Sequence, residues 1–291
     1  MKICRFNNNR LGLVDLDNGF VSDVTRALEV LGPQTYPLPG FDLLIKDLPK
    51  IKRAIRAELP GARKVPLHKV KLLAPVANPG KIIGAPINYS DHIDEAASNA
   101  ALAHGRDMGN ANIYKWGLFL KARSALVGPS HGITLRQPFT EMENRNDHEV
   151  ELVAVIGKKG THIARADAMG YVAGYCIGLD MTLRGPQFAG FRKSIDTYAV
   201  LGPWMVTADE FGDPGDVQLS LTVNGEPRQS ASTRHLIYDV PRLIEFASSF
   251  YTLEPGDLIY TGTPAGVGPV KSGDTIVSEV AGIGKMTVQV H

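Results

Sequence analysis

The chain has 291 residues, 44% of them hydrophobic and 21% charged, with 31 lysines and arginines against 30 aspartates and glutamates. That is the composition of an ordinary soluble globule with room for one large core and an appendage, and the interleaved charge leaves no footprint for nucleic acid or an anionic membrane. No window of about eighteen apolar residues offers a membrane span, Met1-Lys2-Ile3-Cys4-Arg5-Phe6 carries no leader-like run, and Cys4 and Cys176 lack any metal-type spacing, so free buried thiols and a cytoplasmic location are expected.

Residues 1–70 read as a small α/β module without chemistry: strands near Lys2–Phe6 and Gly12–Asp15, helices near Val24–Leu31 and Phe41–Ala57, and a Pro/Gly loop between the helices. The segment from Leu59-Pro60-Gly61 to Leu67 punctuates the chain, so the boundary is set at residue 70 and a larger unit spans 71–291. Within that unit, Val70–Pro75 and Lys81–Gly84 read as strands. Ser90 or Asp91 then offers a cap to a helix that places His92 and Glu95 three apart on one face. A carboxylate beside an imidazole fixes its tautomer and raises its basicity, which a general base needs, although spacing alone fits a surface pair better. Residues 98–115, rich in Asn, Ala and Gly, read as a connection belonging to a lid, and Tyr114–Lys121 as a strand.

After a polar approach, Glu141–Asp147, judged too polar for core, His148-Glu149-Val150-Glu151-Leu152 opens a strand that runs to Ile156. Residues two apart share a face, so Glu149 and Glu151 point the same way, and the apolar residues beyond them draw both carboxylates toward a core. Such a pair must take up a proton or find a cation, and an oxygen-only set selects a hard ion such as Mg²⁺, Mn²⁺ or Ca²⁺; alone, an E-x-E pair is more often a solvated edge. Ala164–Met169 reads as a short helix, and Tyr171–Thr182 as a buried strand ending on Asp180, either a third oxygen ligand or a turn cap. Arg184 and Gln187 supply a guanidinium and an amide, and Lys193 an amine. Val217–Val223 alternates before Asn224-Gly225, the pair that favours a type I′ hairpin. An amphipathic helix is expected over Leu236–Tyr251. The glycine-rich stretch Thr261–Gly268 lacks the order of a phosphate loop and reads as backbone lining a pocket.

Taken in order, six stretches between about Val70 and the C-terminus resemble the fumarylacetoacetate hydrolase family. They are Asn88-Tyr89-x-x-His92-x-x-Glu95, Phe119-Leu120-Lys121, His148-Glu149-x-Glu151-Leu152, Leu179-Asp180-Met181-Thr182-x-Arg184, Lys193-Ser194-x-Asp196-Thr197 and Thr261-Gly262-Thr263-Pro264-x-Gly266-Val267-Gly268. The resemblance implies an α/β, mainly β fold: a mixed β-sheet roll around a divalent ion, usually Mg²⁺, with a small N-terminal α/β domain and commonly a homodimer. It implies that Glu149, Glu151 and Asp180 are metal ligands and that His92 and Glu95 form the dyad that activates water. It further implies that Lys193 stands near metal and substrate, and that Arg184, Gln187, Thr263 and Lys121 belong to the substrate side. Two departures stand out: a short span from Asp180 to Lys193 and a long, Asn/Ala-rich one from Glu95 to Lys121.

The reaction so implied is hydrolysis of a carbon-carbon bond in a 2,4-dioxo acid, of acylpyruvate or fumarylpyruvate type, to pyruvate and a carboxylic acid. The alternative keeps the same enolate without the water: decarboxylation of an oxaloacetate-like acid, or isomerisation or dehydration of a 2-oxo acid. A catalytically silent metal-binding protein would show a degraded dyad, and here both residues are present.

Overall fold

The computed structural model describes residues 1–99, 102, 112–136 and 145–291. The first strands are β1 (Lys2–Phe6), β2 (Arg10–Asp15), β3 (Phe20–Asp23), β4 (Arg63–Pro66), β5 (Leu72–Leu73), β6 (Ile82–Gly84), β7 (Phe119–Lys121) and β8 (Leu126–Val127). The central ones follow: β9 (Asn146–His148), β10 (Val150–Ile156), β11 (Val172–Asp180), β12 (Thr182–Leu183) and β13 (Ala199–Thr207). The chain closes with β14 (Gln218–Val223), β15 (Glu226–Ser232), β16 (Leu258–Tyr260), β17 (Gly268–Pro269), β18 (Thr275–Val280) and β19 (Gly284–Gln289).

A mixed sheet of twelve strands dominates, in the order β4-β3-β2-β1-β13-β11-β10-β16-β6-β7, with β5 on β1 and β8 on β13. The pairs β16–β6 and β13–β8 are parallel and the others antiparallel. Strands β10, β11 and β13 are buried along their whole length, as near-continuous Val, Leu, Ile and Ala runs covered on both faces require. A second sheet, β15-β14-β18-β19, contains the expected hairpin: Asn224 (φ 52°) and Gly225 (φ 84°) both take the left-handed conformation that a type I′ turn demands. This mainly β architecture is the expected one. Residues 1–66 extend the large sheet, because β1 pairs with β13.

The two faces of β10 enter different apolar layers. Leu152, Ala154 and Ile156 pack with Leu219 and Leu221 of the hairpin sheet and with Leu243, Ile244 and Ala247 of the helix Val240–Phe250. Val153 and Val155, on the face that also carries Glu151, pack with Ile45, Ile51 and Ile55 from the first module and with Tyr260.

Several local expectations are corrected. The helix expected over Phe41–Ala57 is two, Leu43–Lys46 and Leu48–Glu58. Asp42 caps the first by accepting from the Ile45 N–H at 3.1 Å, and Pro49 has no N–H to continue it. Tyr114–Lys121 is not one strand: Asn112 caps a helical turn, Ile113–Trp116, by accepting from Tyr114 N and Lys115 N, and the strand starts at Phe119. The helix expected at Ala164–Met169 is a 3₁₀ turn over Ala168–Tyr171. The proposed lid connection, 98–115, lies mostly outside the described residues, as do 141–144 of the polar approach to His148. Both cysteines are buried free thiols, and no described helix is long and apolar enough to cross a membrane.

Candidate active site

The site forms where β10 and β11 begin and end. Glu149 immediately precedes β10, Asp180 ends β11, and the Asp180 N–H donates to the Glu149 carbonyl at 2.9 Å, drawing the two chain segments together. One carboxylate oxygen each from Glu149, Glu151 and Asp180 lies within 4.8 Å of the others, and all three side chains are buried. The strand is interrupted at Glu149, yet the carboxylates converge as the E-x-E spacing expects.

Cations thread the same cluster. Lys193 Nζ donates to Glu149 Oε2 at 2.6 Å and to Asp180 Oδ2 at 2.5 Å; Lys121 donates to Asp180 Oδ1 and, at 2.8 Å, to the Tyr198 carbonyl. Arg184 bridges Asp147 Oδ2 (2.7 Å) and Glu149 Oε1 (2.8 Å). Burial alone would discharge these groups, but their partners oppose it to different degrees. For Glu149, Lys193 and Arg184 outweigh burial and hold the carboxyl well below the usual range. For Lys193, burial loses to Asp180 and Glu149, and its ammonium is held above its ordinary value. For Lys121, burial prevails and pulls the amine down.

Glu151 is the exception. Among the described residues it has no ion pair; it accepts only the Gly262 N–H at 2.6 Å, and burial together with repulsion from Asp180 pushes its carboxyl well above the ordinary value. Three hard oxygen donors, one of them without an ion pair among the described residues, suit a divalent cation, whose charge would keep Glu151 ionised. Each carboxylate oxygen retains a second lone pair for coordination beside its present hydrogen bond.

The dyad faces this cluster. His92, 5% exposed, donates from Nδ1 to Glu95 Oε2 at 2.8 Å, a tautomer assigned from the bond itself, and Glu95 Oε1 accepts the Gly266 N–H at 3.0 Å. Nδ1–H is thereby engaged and Nε2 carries the lone pair. The supporting helix, Ser90–Ser98, starts earlier than expected: Tyr89 occupies the cap position without a side-chain acceptor, and Asp91 sits in the first turn. Asn88 secures this entry, donating to the Tyr238 and Thr261 carbonyls and accepting the Tyr238 N–H. A cavity of about 310 Å³ lies between dyad and cluster, lined by His92, Glu149, Arg184, Arg192 and Lys193 and, on its apolar side, by Ile87, Trp116, Phe119 and Phe188.

Of the residues assigned from sequence to the substrate side, Arg184 reaches the cavity wall. Lys121 lies beneath the carboxylates, paired with Asp180. The Thr263 hydroxyl turns inward, donating to the Val150 carbonyl and accepting from Gln229. Gln187 receives Arg192 Nε on its backbone carbonyl and does not line the cavity. The end of the polar approach is core after all: Asn146 and Asp147 are buried because Tyr198 bonds the first and Arg184 and Arg145 neutralise the second. Nothing in the local pattern distinguishes such a buried, paired aspartate from an exposed one.

The family model described as "Fumarylacetoacetate (FAA) hydrolase C-terminal" matches residues 81–291. The chain belongs to the fumarylacetoacetate hydrolase family. Within that family it is 53% identical over 291 residues to a maleylpyruvate hydrolase of Aquipseudomonas alcaligenes, covering all of this chain and 99% of the relative. A maleylpyruvate hydrolase of Sphingobium sp. SYK-6, crystallised with manganese(II) and pyruvate, superposes with a TM-score of 0.81 at 40% identity, covering 100% of this chain and 98% of that one. A more distant relative is the mitochondrial oxaloacetate tautomerase FAHD2A of Bos taurus, 37% identical over 288 residues, or 94% of this chain and 85% of the relative.

Proposed function

We propose that this protein is a divalent-metal-dependent hydrolase that cleaves a 2,4-dioxo acid of acylpyruvate type into pyruvate and a carboxylic acid, with a maleylpyruvate-like compound as substrate. The observation that carries the reading is an intact His92–Glu95 pair on a small cavity that His92 shares with Glu149, the outermost of three converging buried carboxylates of which Glu151 has no ion pair among the described residues. Mg²⁺ or Mn²⁺ fits the donors, and a cytoplasmic homodimer belongs to the same reading. So does the division at residue 70, with 71–291 carrying the chemistry.

Glu149, Glu151 and Asp180 would hold the divalent ion, which when bound would supply Lewis acidity to the pyruvyl end of the substrate. His92 Nε2 takes a proton from water as that water attacks the distal carbonyl, and Glu95 steadies the imidazolium that results. The bond between carbons 3 and 4 then breaks, its electron pair passing into the enolate of pyruvate. His92 returns its proton to carbon 3. Lys193, charged and fixed, answers the negative charge that grows on the departing enolate, and Arg184 orients the carboxylate end. Trp116, Phe119 and Phe188 form the apolar wall of the cavity beside the acyl chain.

The tautomerase relative favours a second reading, in which the same enolate is protonated without attack by water. A panel of acylpyruvates and oxaloacetate, assayed with Mg²⁺ and Mn²⁺ for pyruvate release and for keto–enol exchange, separates the two. Inert acylpyruvates beside rapid turnover of oxaloacetate would overturn the hydrolase reading.

A further inference from the structure

Gln229 sits in the middle of β15, on a hairpin that carries no member of the carboxylate cluster or the dyad, and it is 2% exposed. Its Oε1 accepts the Val150 N–H at 3.0 Å and lies 3.2 Å from His148 Nδ1; its Nε2 donates to Thr263 Oγ1 at 2.7 Å and to the Pro264 carbonyl at 2.8 Å. The amide has one workable orientation, since turning it over would set its NH₂ against the Val150 N–H and its oxygen against the Pro264 carbonyl. One buried side chain thus ties the first residue of β10 to the middle of the loop Thr261–Gly268.

That loop serves both halves of the site. Near its start the Gly262 N–H holds Glu151, and near its end the Gly266 N–H holds Glu95. Gly262 and Gly266 adopt φ of +101° and +95°, and a Cβ at Gly266 would lie 2.0 Å from the Arg228 carbonyl, so the hairpin presses directly on the loop. The hairpin thus constrains the loop from one side, beside the loop's own bonds to β10 through Thr261 and Thr263.

We infer that Gln229 is a positioning residue: by pinning the loop's midpoint to β10 it fixes the spacing between the His92–Glu95 dyad and the carboxylate cluster, and so governs the hydrolytic step without touching substrate. This rests on the hydrolase reading above. Gln229→Met keeps the length and removes all the polar contacts. In the holoenzyme at saturating Mn²⁺, kcat for acylpyruvate hydrolysis is expected to fall at least about tenfold while KM and the affinity for pyruvate move less than about threefold, as a small misplacement of one catalytic group requires. Independently of turnover, ¹⁵N spectra should show His92 losing its single Nδ1–H tautomer. Gln229→Glu, whose buried carboxyl must take up a proton and then keeps the acceptor for Val150 and one donor for the Pro264 carbonyl, should fall between the variant and the parent, and it carries the test with the same readouts if Gln229→Met does not fold. A folded variant with unchanged kcat and an unchanged His92 spectrum overturns the inference. So does a loss of kcat that higher Mn²⁺ restores, because the fault would then lie in ion binding alone. A parent enzyme inert toward acylpyruvates would refute the hydrolase reading, yet the His92 spectra would still decide the positioning role.

Discussion

Glu151→Gln should move two quantities in opposite directions. The side chain is 1% exposed, has no ion pair among the described residues, and stands against Asp180 with one backbone N–H for support. An amide of the same shape keeps an oxygen for Gly262 and drops the charge. Without divalent ions, removing this burden should stabilise the protein by about 1–3 kcal/mol, the cost of a poorly compensated buried polar group. At about 2–4 °C per kcal/mol for a chain somewhat smaller than this one, the melting temperature in chelator should rise by roughly 2–12 °C. Calorimetric Mn²⁺ affinity should fall by more than the roughly 10–100-fold that losing a supporting contact alone would cost. Thermal melts in chelator and in excess Mn²⁺ read both effects in one experiment. A lower melting temperature in chelator would refute the electrostatic reasoning, and an unchanged Mn²⁺ titration would remove Glu151 from the ligand set.

The same carboxyl predicts a pH signature. Its folded-state pKa lies above the ordinary 4.5, so the native chain holds the proton more tightly than the unfolded one; metal-free stability should fall as pH rises from about 4.5, a slope absent in Glu151→Gln. Glu149, shifted the other way by Lys193 and Arg184, should cost stability only as pH falls below about 4.5, so urea titrations across pH separate the two groups. His92→Ala should leave Mn²⁺ affinity intact while hydrolysis drops by about 10²–10⁴-fold, and retained turnover would mean that the dyad does not activate water. Gly262→Ala places a Cβ 2.6 Å from Asn88 Cβ at φ +101°; it should destabilise by about 1–3 kcal/mol in urea melts and weaken Mn²⁺ binding through Glu151.

What the sequence made legible is chemistry carried by spacing. Glu149 and Glu151 two apart on an apolar strand, Asp180 at a strand end, and His92 with Glu95 three apart on a helix each imply a geometry, and the structure brings them together. What stayed hidden depends on partners distant in the chain. Asp147 reads as polar surface until Arg184, 37 residues on, buries with it. Lys121 reads as belonging to the substrate side and Lys193 as standing near metal and substrate, and no spacing shows that both donate to Asp180. Thr263 lies in a recognisable motif, but only the hairpin's Gln229 explains why its hydroxyl faces inward. Gln229 itself carries no local signal, since a glutamine in an exposed-looking Glu-Pro-Arg-Gln-Ser strand gives no hint of burial. The helical turn at Ile113–Trp116 went unread because one asparagine cap outweighs the strand preference of Tyr and Trp.

Ile51 and Ile55 of the first module close over the layer formed by Val153, Val155 and Tyr260, on the face of β10 that leads to Glu151. A shortened chain beginning at residue 81 would keep every motif of the family and still present bare hydrocarbon along the rear of its ion-binding strand. Solubility and ion retention would fail together in such a fragment. Conversely, repacking Ile51 and Ile55 offers a handle on the enzyme's robustness from some distance behind the reacting atoms, leaving their arrangement alone.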